Sequence, residues 1–511
     1  MPKNKRRSLD EWQEFENGKE YNVRLGLYET VAKNERFYRG EQWKGVGANN
    51  LPTPVFNLFK RIIDYYVSNV MSDATVLHYS SIRQGDNKAS DEMAGVLSGI
   101  AKARWERLKM DSLLSNALLD AALCGDAVAY TYWDPTIKTG QPFRGDFVTR
   151  LVENTNVFFG NPNVHDVQAQ PYIMISGREM VDEVKKQAKA NGRDAHVIGL
   201  IDSDSDIFTQ SGDRGSIELS GTKCVTLIKL WRNERGTISF KKMVKDAVII
   251  DEVDTGLHLY PICYFNWTRS KNCWHGEAVG TSLIDNQIFV NKAFAMAMKH
   301  MMDTAFSKIV YDSTVIDEWS NKVGEAIAVN GPIENVAKAI GTGSMQSGML
   351  ELINLAISYT KDMLGATDAA LGNVDPKNTS AIIAVQQASA MPLQNVKRQL
   401  YQFIEDLGLI WLDFMLCYYG EKRLVPSLDG DWVEFSPKRF KGSVWACSVD
   451  VGNSGYYSEI TSLNTLDTLL SMGQITLKQY LERIPNNIIP KKQELIDEIT
   501  ASIEKDEEER I

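Results

Sequence analysis

A chain of 511 residues, 43% of them apolar, is long enough for two to four domains with substantial cores, which excludes a chain disordered throughout. Its net charge of −10 disfavours tight, non-specific nucleic-acid binding over the whole surface, because such binding is driven by counterion release from phosphates to Lys and Arg. The cysteines at 124, 224, 263, 273, 417 and 447 lack paired spacing and read as reduced cytosolic thiols.

Met1 to Arg7 is basic, but an acidic, aromatic segment follows where a secretory signal needs an apolar run. The most apolar long stretch, residues 407–419, is too short to span a bilayer and carries Asp413. A soluble protein without a membrane partner is expected.

Residues 8–40 read as one helix rich in Glu and Tyr, closed by Phe37-Tyr38-Arg39-Gly40-Glu41-Gln42-Trp43. Pro52 and Pro54 lead into Asn57 and an amphipathic helix with Phe59, Ile62, Ile63, Tyr66, Val67 and Val70 at helical spacing. A further loop is expected to end at Ser90, an N-cap followed by Asp91 and Glu92. Helices then run to about Leu123 and stop at Gly125. Residues 127–133 alternate as a strand, with Asp134, Pro135 and Gly140 as its turn.

Short strands and loops occupy residues 148–180, before a charged helix over 178–191. Residues 202–221, rich in Asp, Ser and Gly, read as an exposed loop. From 223 to 267 the period switches to two, which predicts a small antiparallel sheet of about four strands.

The stretch from 282 to 420 predicts two medium helices flanking a compact insert, then a polar loop and one very long helix. Ser282 and Asp285 fit a capping box for the first helix, which runs to about Phe306. Asp285, Lys292, Lys299 and Asp303 fall in one narrow sector, while Ile284, Val290, Phe294, Met298, Met301, Met302 and Ala305 cover the remainder. The second helix, over 348–364, repeats the design. Glu351, Asn354, Ser358 and Asp362 form a stripe amid Met349, Leu352, Ile353, Leu355, Ala356 and Ile357. Each helix therefore needs apolar partners on more than one side, as in a closed bundle or ring with a wet inner wall; an ordinary core helix pair is the alternative.

The insert reads as a strand (307–311), a short helix (315–323) and a second strand (325–329). Residues 372–379 form a polar loop, and Thr379 or Ser380 caps a helix to Gly420 with a kink at Pro392. Some 40 residues of helix would reach about 60 Å, the length of a strut. Strands return over 421–457, anchored by Trp432, Phe435, Phe440 and Trp445, and helices resume from Glu459 to an acidic tail. The fold class expected is α+β, mainly α.

Catalytic chemistry is sparse. There is no Walker loop, so an ATP-driven motor is not expected in this chain, and Gly341-Thr342-Gly343-Ser344 lacks the lysine that a phosphate loop needs. Asp202, Asp204, Asp206 and Asp213 echo the spacing of a calcium loop, but Ile207 stands where that loop needs Gly. Cys263, Cys273 and His275 lack a fourth ligand and read better as sheet thiols with a neighbouring histidine. His78, His165, His196, His258 and His300 sit in no visible constellation. Neither a metal nor a cofactor is expected.

The order of elements resembles the portal proteins of tailed double-stranded DNA bacteriophages and their prophages. The likeness is carried by residues 37–43, the loop into Asn57, the helix ending at Cys124-Gly125-Asp126 before an aromatic strand, and Tyr260-Pro261 leading through Gly276 and Gly280 to Gln287. It implies a structural, non-enzymatic ring, commonly of twelve subunits, at one capsid vertex. In that mapping residues 1–281 begin the wing, 282–306 and 347–371 are stem helices and 307–346 the clip. Residues 372–379 become the tunnel loop, 380–457 the wing spine with its returning strands, and 458–511 the crown. The resemblance turns Asn373, Asp375, Lys377, Asn378 and Thr379 toward DNA, and makes Asp317, Glu318, Trp319 and Lys322 a docking surface. The partners implied are other copies of the chain, the terminase large subunit, a head-tail connector or adaptor, the major capsid protein and scaffold, and DNA in transit. Two rivals stay open: a hydrolase or nuclease with a helical lid, and a capsid or scaffold protein without a channel.

Overall fold

The structure is a computed structural model. It describes residues 3–45, 47, 51–71, 75–81, 87–204, 222–305, 308–316, 329–330, 336–340, 348–363, 391–428, 431–440, 444–451, 466–484 and 495–496.

Helices and strands are mixed throughout. The expected N-terminal helix is two, α1 (Lys3–Arg24) and α2 (Leu27–Arg39), because Gly26 takes φ 67 and turns the chain between them. Asn57 caps α3 (Leu58–Val70) by accepting from the Lys60 amide at 2.9 Å, and Phe59, Ile62, Ile63, Tyr66 and Val70 are buried as their spacing predicts. Where a loop was expected, β1 (Thr75–Ser81) pairs with β14 (Trp445–Val451), with Leu77 and Tyr79 turned inward. The next helix, α4 (Asn87–Leu108), begins three residues before Ser90, and α5 (Met110–Cys124) stops at Gly125 as expected.

Strand β2 (Asp126–Lys138) runs straight through Asp134-Pro135 instead of turning there, with a register shift against β3 (Arg144–Val152) that accommodates the proline. The expected four-stranded sheet is larger and differently joined. Strands β4 (Val157–Phe159), β5 (Tyr172–Met180), β6 (Lys223–Arg232), β7 (Ile238–Val244) and β8 (Ala247–Asp254) form one five-stranded antiparallel sheet. The charged helix α6 (Val181–Ala190) follows β5, and α7 (Ala195–Gly199) follows α6. Strand β9 (Ile262–Asn266) leaves that sheet for β2, giving the order β3-β2-β9. The switch occurs at Tyr260-Pro261: the Tyr260 hydroxyl is held between the Arg232 amide and the Gln170 carbonyl, and Pro261 has no N–H with which to extend the first ladder.

α1 lies on the five-stranded sheet. Its Phe15 meets Phe158 edge-on at 5.2 Å over Met174, Val225, Leu227 and Met243, while Glu11 pairs with Lys241 at 2.5 Å and Glu14 with Lys229.

The long α8 (Val279–Ala305) begins three residues before Ser282, whose hydroxyl bonds the Val279 carbonyl from inside the helix, so the expected Ser282 capping box does not form. In the insert, β10 (Lys308–Tyr311) pairs with β11 (Ala337–Ile340), a partner the sequence reading did not assign; residues 317–328 lie outside the described residues. α9 spans Gly348–Met363.

Pro392 sits in a 3-10 turn (Met391–Leu393) immediately before α10 (Gln394–Tyr418), so the described helix starts after the proline and residues 364–390 lie outside the description. α10 runs through the main core, where Phe403, Leu407 and Trp411 are fully buried, and Tyr79 donates to the Gly408 carbonyl at 2.7 Å. A Cβ at Gly408 would strike the Cys447 sulfur. Beyond α10, β12 (Arg423–Pro426) pairs with β13 (Trp432–Phe435). Phe435, Phe440 and Trp445 anchor this region, whereas Trp432, expected as a fourth anchor, is 67% exposed. Among the last residues, Thr476 and Gln479 form a reciprocal capping box for a short helix, Leu477–Arg483.

The turn from α5 into β2 is fixed by backbone proximity. Gly125 has φ 94, and a Cβ there would lie 2.5 Å from the Gly276 carbonyl oxygen. Gly125→Ala is expected to lower stability by about 2 kcal/mol or more, since it combines positive φ with a backbone clash. Denaturant unfolding checks this; an unchanged midpoint would show that the two segments can part freely.

Candidate channel-lining surface

Helix α8 is divided along its length. Its first half is seated in the core by Leu283, Ile284 and Val290, and by two buried amides. Gln287 accepts from the Phe59 amide at 2.9 Å and donates to the Phe56 carbonyl and the Asn291 side chain, both at 2.9 Å. Asn291 donates to Gln42 at 2.7 Å, and Gln42 donates to the Phe37 carbonyl and to Asn57. Gln42, Asn57 and Gln287, far apart in sequence, thus meet in one network. Gly280 lets the same helix approach closely, because a Cβ there would come within 2.9 Å of the Phe59 ring.

The second half of α8 projects from the core and packs on α9 through Ala293, Ala297 and Ile353, with Phe294 and Ile357 beside them. Met296, Met298, Met301 and Met302 on α8 remain exposed, as do Leu352, Leu355 and Tyr359 on α9.

Asp285 and Lys292 are exposed and Lys299 is half-buried; the side chain of Asp303 lies outside the described residues. Glu351, Asn354, Ser358 and Asp362 are all exposed, and Ser358 donates to Asp362 at 3.4 Å. The face is not the purely polar stripe expected. Stepping about 100° per residue, Phe289 and Met296 fall within about 40° of Asp285, and both are exposed, at 45% and 47%. On α9, Leu355 and Tyr359 border the acidic positions in the same way. Asn373, Asp375, Lys377, Asn378 and Thr379, and likewise Asp317, Glu318, Trp319 and Lys322, lie outside the described residues.

The ion-binding candidates are engaged elsewhere. Asp204 pairs with Arg178 at 3.1 Å and accepts the Val225 amide at 2.6 Å, while Asp206 and Asp213 are outside the described residues. Cys263 is buried in β9, where burial drives its thiol well upward in pKa. Cys273 accepts from Tyr21, and both ring nitrogens of His275 are bonded, to Asp126 at 2.7 Å and Asn22 at 3.2 Å. One grouping was missed: His258, Asp413 and Cys417 bring potential ligand atoms within 4.8 Å of one another. The i,i+4 spacing of Asp413 and Cys417 on a helix was the available signal; nothing local marks His258, 155 residues away from Asp413. No helix among the described residues is long and apolar enough to cross a membrane.

An acidic cluster lies where α5 meets α2. Burial, with Glu153 and Glu35 nearby, pushes the Asp120 carboxyl up to about 7, and burial also raises Glu153 and Glu35.

Residues 232–434, about two fifths of the chain, match the family model for the phage P22-like portal protein, and the resemblance to portal proteins of tailed phages is thereby shown. That family is structural and non-enzymatic, and the match supports a phage portal structural role. No curated protein matches the chain.

Because the folded chain holds the Asp120 proton more tightly than the unfolded one, this group's contribution to stability is present at low pH. It is lost as pH rises from about 4, the unfolded value, to about 7. Asp120→Asn, which keeps the neutral shape, is expected to lose less melting temperature than the parent between about pH 4 and about pH 7. Parallel slopes for the two proteins would place Asp120 in open solvent.

Proposed function

We propose that the chain is the subunit of a ring, commonly of twelve copies, that forms the DNA channel at one capsid vertex. The observation that carries this reading is the helix pair α8–α9, which leaves Met296, Met301, Met302, Leu352, Leu355 and Tyr359 exposed on a single chain. Large apolar side chains gathered on projecting helices mark a surface that is covered in the working assembly. In a ring, each pair lays the apolar flanks that carry Met301, Met302 and Leu352 against neighbouring copies and turns the mixed face, Asp285, Lys292, Glu351 and Asp362 with Phe289, Met296 and Leu355 among them, toward the wet lumen. The half-buried Lys299, with Asn354, Ser358 and Asp303, belongs to that lining.

Residues 282–306 and 347–371 are then the stem. Residues 307–346 are the clip, with Asp317, Glu318, Trp319 and Lys322 meeting the terminase large subunit and later the head-tail connector. Residues 372–379 form the tunnel loop, in which Asn373, Asp375, Lys377, Asn378 and Thr379 face DNA. Residues 1–281 and 380–457 make the wing that touches the major capsid protein and scaffold, and 458–511 the crown. The ring is passive: a separate terminase motor drives DNA inward, and the same channel conducts it outward at ejection. A wall drawn from a chain of net charge −10 repels phosphate and so lets the duplex slide.

Negative-stain images of purified protein are expected to show end-on rings with a central hole, and Met301→Glu combined with Leu352→Glu to shift the population to folded monomers. A monomeric parent protein would sink the reading, and shells or fibres would favour a capsid or scaffold protein. Deletion of residues 373–379 is expected to leave rings intact while DNA packaging or retention fails. Loss of the rings themselves would assign that loop to assembly.

A further inference from the structure

We propose that His258, Asp413 and Cys417 form a binding site for a zinc-class divalent cation. His258 comes from the turn between β8 and β9, and Asp413 and Cys417 from successive turns of α10. The His258 Nδ1 and Asp413 Oδ1 atoms are 3.3 Å apart, and the Cys417 sulfur is 3.7 Å from the same oxygen. The nitrogen–oxygen distance is long for a charge-assisted hydrogen bond, which runs about 2.7–2.9 Å for N–H to a carboxylate oxygen. The two distances from Asp413 Oδ1 match edges of a metal tetrahedron, since bonds of about 2.0–2.3 Å place neighbouring ligand atoms about 3.3–3.7 Å apart, and the third pair, His258 with Cys417, lies within 4.8 Å.

A second observation is the support behind the carboxylate. Asp413 Oδ2 accepts the backbone amides of His258 and Leu259, at 2.7 and 3.0 Å. These bonds fix the plane of the group and direct Oδ1 toward the imidazole and the thiol. Outer-shell bonds of this kind orient ligands in metal sites. They also tie the turn bearing His258 to the helix bearing the other two ligands. The Asp413 side chain is 12% exposed, whereas that of His258 is 71% exposed, so the ion sits at the rim with its fourth position open to water.

Neutral imidazole, carboxylate and thiolate together favour zinc over the hard cations magnesium and calcium, which take oxygen ligands. The thiol contacts the Gly256 carbonyl at 3.3 Å. On binding, its proton passes to solvent and the sulfur turns to the ion. Affinity therefore falls with pH as protons compete for sulfur and imidazole. The site is independent of the ring reading, since all three ligands lie on one chain.

The test uses full-length protein, reduced and stripped of metal with a chelator, titrated with cobalt(II) and then zinc(II). One cobalt per chain is expected, with a thiolate charge-transfer band and the intense visible bands of tetrahedral geometry, both bleached by zinc. Cys417→Ser should abolish the charge-transfer band, and His258→Ala should weaken binding about tenfold or more. Because both side chains are exposed, the metal-free melting temperatures should match the parent, and added zinc should raise the melting temperature of the parent alone. Absence of the band, or a band that survives Cys417→Ser because cobalt sits on another thiol, would overturn the proposal.

Discussion

The structure depends on one buried carboxylate. Asp126, at the first position of β2, accepts from Asn266 at 2.7 Å, the Gly276 amide at 2.6 Å, Asn154 at 3.0 Å and His275 at 2.7 Å. Its side chain is wholly covered, and burying such a group is tolerable only when its acceptor sites are filled. The four donors come from three separate regions: the turn before β4, the end of β9, and the segment that leads into α8. His275 extends the cluster to Asn22 on α1. One residue thereby fixes how the N-terminal helix, the central sheet and the projecting helix meet. The glycines around it follow from the same constraint, since Gly125 and Gly276 put backbone against backbone with no room for a side chain.

A second buried network positions α8 itself. Gln287 and Asn291 stand on the helix face that the core would otherwise fill with apolar side chains. Their amides close onto backbone groups at Phe56 and Phe59 and onto Gln42. Amide networks of this kind have few alternative pairings, so they select one rotation and one axial position of the helix, which apolar packing alone specifies less sharply. The residues that carried the family likeness, Gln42, Asn57, Gly125, Gly276, Gly280 and Gln287, are the ones that make these joints.

What was legible in the sequence was local. The stop of α5 at Gly125 and the apolar spacing of α3 are set by near neighbours, and both appear as read. The errors came from long-range pairing. Strand β1 finds its partner some 370 residues later, and β9 leaves one sheet for another at Tyr260-Pro261. Pro135 looked like a stop, but a proline at a register shift breaks no ladder. At the candidate surface, the polar positions of α8 and α9 were readable from period alone. The same period puts Phe289 and Met296 on their face; that these two stay exposed was not readable, because the core claims the opposite side through Gln287 and Asn291, polar residues that a hydrophobic count assigns outward. The His258–Asp413–Cys417 grouping was invisible for the same reason as β1, being made by the fold from distant segments.

The division of α8 separates two requirements that would otherwise conflict. A helix that is to pack between copies must keep apolar residues uncovered until assembly, and such residues drive misfolding if they compete for the subunit's own core. Here the two needs lie on different parts of one helix. Network amides and Leu283, Ile284 and Val290 fasten the first half within the subunit, whereas the exposed methionines lie beyond the last seated turn. Methionine suits that position, because its unbranched side chain adapts to whichever surface it meets. In the ring reading, the folded subunit presents its interface already oriented, and the ordering cost of assembly falls on side chains rather than backbone. The same rigid root gives Asp285 and Lys292 a fixed direction, while the far half of the helix is held by the small cluster of Ala293, Ala297 and Ile353 against α9.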